Sequence, residues 1–134
     1  MGYLVDTPHF NIWYKTPVFP ELRNRIYATF DTSFADDRLT RKSRQGHLIF
    51  YNSGPIIWKI NRQRTIALST TEAELDSFVN FSRSVLHTMR ILDSMGSPPH
   101  GLNIFEDNRS TITICANNMR PGNSRTKHVD LKIK

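Results

Sequence analysis

The sequence predicts an α/β domain, a mixed sheet with flanking helices. Three features of the chain carry that reading. Short β-type segments come first, one long amphipathic helix follows, and a further strand lies beyond the helix. A strand reached through a helical crossover pairs in parallel with the sheet it left. The order β-β-β-α-β-α therefore gives an antiparallel meander extended by one parallel strand.

The first 24 residues carry Pro8, Pro17 and Pro20, which interrupt regular structure and leave room for one short strand over Asn11 to Lys15. Ile26 to Asp31 is the first strand of the meander and Gly46 to Tyr51 the second. Asn52-Ser53-Gly54-Pro55 has turn composition, and Ile56 to Ile60 is the third strand, extended after a bend by Thr65 to Leu68. The helix runs from about Thr70 to Met95. Ser69 and Glu72 form a capping box at its start. Leu75, Phe78, Val79, Ser82, Leu86 and Met89 recur at three- and four-residue steps and predict the buried stripe. Gly96, Pro98 and Pro99 stop the helix. Leu102 to Glu106 is the fourth strand. Asp107 or Asn108 caps a second helix to about Asn117, and residues 118–125 form a loop.

Composition sets the outer bounds. The 134 residues fit one domain, and 38% apolar and 22% charged residues are ordinary for a globular protein. The single Cys115 excludes an internal disulfide and a cysteine-built zinc site within one chain, and its apolar neighbours mark it as a core residue. No apolar run approaches the roughly 20 residues of a membrane span, and the N-terminus lacks the pattern of a signal peptide, so an intracellular location, cytoplasm or nucleus, is expected. A formal net charge of +6 points to a polyanionic partner. Neither repeats nor low-complexity tracts occur.

Three carboxylates stand where chemistry is expected. Asp31 ends the first strand, Asp107 ends the fourth, and Glu74 lies in the first turns of the helix. Taken alone, Asp31 reads equally as a turn former and Asp107 as a helix cap. Together they fall at the carboxyl ends of strands, where open α/β sheets gather ligands. Glu72 and Glu74 compete for the third place. The capping box occupies Glu72, whereas Glu74 shares a flank with Phe78, Phe81 and Val85, where an idle carboxylate would be costly. Glu74 is therefore chosen, with Glu72 as the fallback. Such a trio suits Mg²⁺, a hard cation that takes oxygen ligands, and suggests metal-assisted phosphodiester hydrolysis. The stretch Arg38 to Gln45, with Arg41, Lys42 and Arg44, reads as a solvated loop or as a set of phosphate contacts. Arg62-Gln63-Arg64 is a second basic stretch. Trp58 is expected to pack in the core or at the sheet edge. His47, His87 and His100 lack metal-ligand spacing.

In order along the chain, these segments resemble the ribonuclease H domain of copia-type LTR retrotransposon Pol polyproteins. Asp31-Thr32-Ser33-Phe34-Ala35 is similar to the family's Asp-Ala-Asp-Trp-Ala, and Arg41-Lys42-Ser43 with Gly46 to its Arg-Lys-Ser-x-x-Gly. Pro55 to Lys59 and Ala67 to Glu74 match closely. Asp107-Asn108-Arg109-Ser110 resembles Asp-Asn-Gln-Ser, and Arg125 to Asp130 resembles Arg-Thr-Lys-His-Ile-Asp. Each motif alone is weak, but their collinear order is specific. The resemblance implies a ribonuclease H-like five-stranded mixed sheet, two Mg²⁺ ions held by Asp31, Glu74 and Asp107, and an RNA–DNA hybrid as substrate. It implies a reverse transcriptase region as neighbour in the intact polyprotein. Residues 1–24 resemble the connecting segment ahead of the domain, and residues 25–134 the domain without its C-terminal strand and helix.

Three departures stand out. Leu75 replaces an aromatic, Thr32-Ser33 lacks the second Asp of Asp-Ala-Asp, and the segment carrying the family's fourth Asp has no counterpart before Lys134. Asp130 belongs to the preceding motif and reads as a helix-terminus residue. The expectation is impaired or absent cleavage. The alternatives are a non-catalytic nucleic-acid-binding fragment and a decayed polyprotein remnant.

Overall fold

Alternation of large apolar and polar residues builds β1 (Arg25–Ser33), whose Ile26, Ala28 and Phe30 are buried. The computed structural model describes residues 9, 11–109 and 111–113, and residues 129–131 as backbone. β2 (Arg44–Tyr51) pairs antiparallel with β1, and β3 (Gly54–Arg62) pairs antiparallel with β2. Asn52 turns this hairpin with φ 56°, a left-handed conformation that Asn tolerates. Helix α1 (Thr70–Ser94) then crosses over to β4 (Gly101–Phe105), which pairs in parallel with β1. The expected parallel crossover is present. β5 (Val129–Leu131) pairs in parallel with β4, so the sheet has five strands in the order β3-β2-β1-β4-β5. Asp130, read from the sequence as a helix-terminus residue, lies in this fifth strand.

The helix caps follow their sequence signals. Ser69 Oγ accepts from Glu72 N at 3.1 Å, and the Glu72 carboxylate accepts from Leu68 N at 2.7 Å. At the other end Gly96 adopts φ 72°, with Ser97 N donating to Leu92 O at 2.9 Å and Gly96 N to Asp93 O at 3.0 Å, a Schellman stop. The buried face differs from the expected stripe. Ala73, Glu74, Ser77, Phe81, Val85 and Thr88 face the sheet, while Val79 and Leu86 are 46% and 53% exposed. The contact face is rotated by one residue, ~100° around the axis. Small residues let the helix approach the sheet, and a count of large apolar side chains gives such positions no weight. Phe81 stacks on Phe30 with ring centroids 4.9 Å apart, within a core that also holds Ile26, Ile49, Val85, Leu102 and Ile104.

Two expected strands are absent. Thr65 to Leu68 carries no strand because β3 ends at Arg62 and the chain turns directly into the helix cap. Asn11 to Lys15 forms no strand. It packs on the β2–β3 turn: Tyr14 donates to Pro55 O at 2.8 Å, Lys15 N donates to Ser53 Oγ at 2.9 Å, and the Tyr14 ring fills the space a side chain at Gly54 would need. Trp58 does not enter the core. It is 60% exposed on β3, an edge strand, where Ile60 is 78% exposed. Cys115, most of the second helix, the loop over residues 118–125 and the motif around His128 lie outside the described residues.

The two sides of α1 make opposite forecasts. Phe81→Ala should cost about 3–5 kcal/mol in urea unfolding. Leu86→Ala, on the outer side, should change stability by no more than about 0.5 kcal/mol. Equal costs would refute the observed orientation of the helix.

Candidate active site

The parallel pairing of β1 with β4 aligns the acidic residues. Arg25 lies opposite Gly101 and Thr29 opposite Phe105, one constant offset along the pair. Continued by two residues, that offset brings Asp31 level with Asp107, on neighbouring strands spaced about 4.8 Å apart. The strand ends differ slightly from expectation. β1 runs on to Ser33, so Asp31 lies inside it, and β4 stops at Phe105, so Asp107 lies just beyond it. Both Asp residues are exposed, and both line a cleft of about 360 Å³ with Thr29, Phe30, Phe105 and Glu106. Asp31 Oδ1 accepts from Thr32 N at 2.7 Å.

Glu74 approaches from the helix. It is only 7% exposed, on the side of α1 that faces the sheet, as its flank in the sequence suggested. Burial pushes its carboxyl above the ordinary range, and the charges of Asp31 and Asp107 push in the same direction. The Thr32 hydroxyl opposes this by favouring the charged form, although Thr32 Oγ1 and Glu74 Oε2 both lack a hydrogen bond of normal length. Glu72 stays exposed at the cap, its carboxylate bound to Leu68 N, while Glu74 is buried.

Sequence reasoning missed Glu106, taking it for the last strand residue. It is 7% exposed, and burial first, then the charges of Glu74 and Asp107, raise its pKa to about 7. Glu106 Oε1 accepts from Asn108 N at 2.9 Å, and Oε2 is buried without a partner. Asn108 is the cap of the following turn, since Thr111 N donates to its Oδ1 at 3.2 Å. That leaves Asp107 unused as a cap. Two adjacent acids after an apolar strand were the available signal for Glu106.

Thus four carboxylates meet at one end of the sheet, two exposed and two buried, with two oxygens unsatisfied. Carboxylate oxygens are the donor type that a hard divalent cation takes. Among the described residues, however, no group of three His, Cys, Asp or Glu side chains is disposed to hold a metal ion. A second and larger groove, about 440 Å³, runs from Asp31 across Gly46 and Leu48 to Trp58 and Ile60. It is almost wholly apolar, in contrast to the acidic cleft.

The basic loop is ordered by an acid. Asp37 accepts from Leu39 N at 3.0 Å, from Thr40 N at 3.3 Å and from Thr40 Oγ1 at 2.8 Å, and pairs with Arg62 at 2.8 Å. These contacts, the Thr40 hydroxyl foremost, hold its carboxyl below the usual range. Arg44 pairs with Asp36 at 3.2 Å, whereas Arg41 and Lys42 make no ion pair among the described residues. The loop lies outside the acidic cleft lining.

The raised carboxyls make stability depend on pH. In the window from about 4.5 to about 7, folded Glu106 keeps a proton that the unfolded chain has released. Its stabilising contribution is complete below that window and is lost as pH rises through it. Urea unfolding at a series of pH values should therefore show stability falling across the window. Glu106→Gln should flatten most of that fall, and an unchanged slope would contradict the burial of this group.

No family model matches the chain. Relatives are found among transposon proteins. The chain is 32% identical over 102 residues to the retrovirus-related Pol polyprotein from transposon TNT 1-94 of Nicotiana tabacum, covering 76% of this chain and 8% of that protein. It is 30% identical over 133 residues to the Pol polyprotein from transposon RE1 of Arabidopsis thaliana, covering 96% of this chain and 8% of that protein. The chain thus spans under a tenth of the length of these relatives. Among solved structures, Marinitoga piezophila Argonaute with guide RNA and target DNA superposes with a TM-score of 0.50 at 16% identity, over 85% of this chain and 16% of that one. The same Argonaute with guide RNA alone gives a TM-score of 0.51 at 15% identity. These similarities establish a ribonuclease H-like fold, and the chain is a homologue of the retrovirus-related Pol polyproteins of copia-type transposons, matching one segment of them.

Proposed function

We propose that this retrotransposon-derived, nuclease-like domain acts on RNA–DNA hybrids, with Asp31, Glu74 and Asp107 as ligands for Mg²⁺ and Glu106 beside them. The observation that carries the reading is the β1–β4 register, which levels Asp31 with Asp107 beside a buried Glu74. Mg²⁺, if held by Asp31, Glu74 and Asp107, would supply activation of water and stabilisation of the leaving oxygen in phosphodiester hydrolysis. The chain's own residues prepare that site. Asp31 and Asp107 present exposed negative charge, which repels a phosphodiester unless a cation stands between them. Glu74 adds a desolvated oxygen with no competing hydrogen bond. Burial raises the pKa of Glu106 to about 7, and this limits repulsion among the acids near neutral pH. The hybrid substrate and an adjoining reverse transcriptase region follow from the family resemblance.

Cleavage by this chain alone is expected to be weak, since no three carboxylates among the described residues are disposed to hold an ion. The same observation favours a second reading, a nucleic-acid binder without catalysis. A labelled RNA–DNA hybrid incubated with the chain and Mg²⁺ separates the two. The nuclease reading expects slow, Mg²⁺-dependent strand cleavage that falls to background in Asp31→Asn. Binding without any cleavage, unaltered by Asp31→Asn, selects the second reading.

Either reading places phosphate contacts in the loop at Arg41, Lys42 and Arg44. Each neutralised phosphate contributes a log–log salt slope of roughly −0.9 on B-form DNA. Replacing all three with Ala should flatten the slope and weaken binding alike for unrelated sequences. Arg44 should contribute least, because it is already paired with Asp36. A slope unchanged in the triple variant would make the loop a solvated surface only.

A further inference from the structure

Buried polar groups outside the acidic cleft concentrate at the start of α1. Ser43, Gln45 and Gln63 are exposed by 0%, 5% and 2%. They belong to the segment entering β2, to β2 itself and to the residue that follows β3. Gln63 lies at their centre. Its backbone N donates to Ser43 O at 2.8 Å, and its side-chain Nε2 donates to Ala73 O at 2.7 Å and to Gln45 Oε1 at 3.3 Å. Ser43 Oγ in turn accepts from Ala35 N at 3.1 Å, beyond the end of β1. Both neighbours of Gln63 Nε2 are acceptors, so the amide orientation is fixed by its surroundings.

Ala73 immediately precedes Glu74, and its carbonyl belongs to the first turns of the helix. A helical carbonyl needs no second donor, so a buried amide aimed at this one has a local purpose. The bond ties the turn that carries Glu74 to β2 and to the end of β3. We propose that Gln63 is a positioning residue for Glu74, holding the first turns of α1 at the depth and rotation that deliver the Glu74 carboxylate to the acidic cleft. This inference rests on the reading of Glu74 as a metal ligand. Gln63 itself touches neither the cleft nor any reacting atom. Its buried Oε1 has no partner, so the residue is retained in the core at a polar cost that a simple space-filler would avoid.

The test is a double-mutant cycle on the full chain: wild type, Gln63→Met, Glu74→Gln and the combined variant. Gln63→Met keeps the length of the side chain and removes the donor. Each protein is titrated with Mn²⁺ alone by calorimetry, and thermal unfolding is followed in parallel. The expected result is about tenfold weaker Mn²⁺ binding in Gln63→Met, the scale at which supporting residues act on metal sites. That loss should disappear in the Glu74→Gln background, because the two residues act through one another. A purely structural Gln63 would lower the melting temperature and leave the Mn²⁺ affinity of the folded protein unchanged, and this outcome overturns the proposal. Gln63→Asn, which withdraws the amide by one methylene, gives the same forecast if Gln63→Met does not fold. If wild type binds no Mn²⁺, the metal reading of Glu74 fails separately. Crystal structures then decide the positioning claim: a Glu74 carboxyl displaced in the Gln63 variant supports it, and one in the same place overturns it.

Discussion

Everything at the candidate site depends on the register between β1 and β4. These strands are far apart in sequence and are joined only through the hairpin and the long helix. Their parallel pairing fixes where Asp31 stands relative to Asp107. A slip by one residue would move one acid to the opposite face of the sheet, because side chains alternate. The core prevents that slip. Ile26, Ala28 and Phe30 on β1 and Leu102 and Ile104 on β4 all bury against the same side of α1. The hydrophobic packing therefore sets the spacing of the polar site above it.

The electrostatics run against the packing. Glu74 and Glu106 are almost fully buried, and each is repelled by neighbouring carboxylates. A core without a task would replace such groups with neutral ones of the same shape. Their unsatisfied oxygens and raised proton affinities are a local instability that the surrounding sheet and helix tolerate. Clusters of this kind mark functional positions more often than structural ones. The neighbouring glutamine cluster is different in kind, since its hydrogen bonds connect four separate segments and carry no charge.

Much of this was legible in the chain. The capping box, the Gly96 stop and the β-β-β-α-β order are local signals, and local physics decided them. The apolar residues on the flank of Glu74 signalled its burial, and Glu74 is 7% exposed. The rotation of α1 was not legible, because Ala73, Ser77 and Thr88 face the sheet through their small size. Thr65 to Leu68 has β-type composition, but cap formation by Leu68 and Glu72 takes precedence. Glu106 and Gln63 were hidden for a common reason. Their roles arise from contacts across segments distant in sequence, and neither belongs to a spacing pattern.

One feature of the sheet bears on how this domain survives in solution. β3 is an outer strand with Trp58 and Ile60 in the open, the sort of rim on which foreign strands assemble into aggregates. Several features blunt it. Pro55 offers no amide hydrogen, and its carbonyl is already taken by Tyr14. A register irregularity near Ile49 and Phe50 twists the ribbon, and Lys59 adds charge beside Trp58. Gly54 admits the Tyr14 ring, so the residues before β1 cover the beginning of this strand. Trimming the segment that carries Tyr14 would therefore free the Pro55 carbonyl and lengthen the open rim that already shows Trp58 and Ile60.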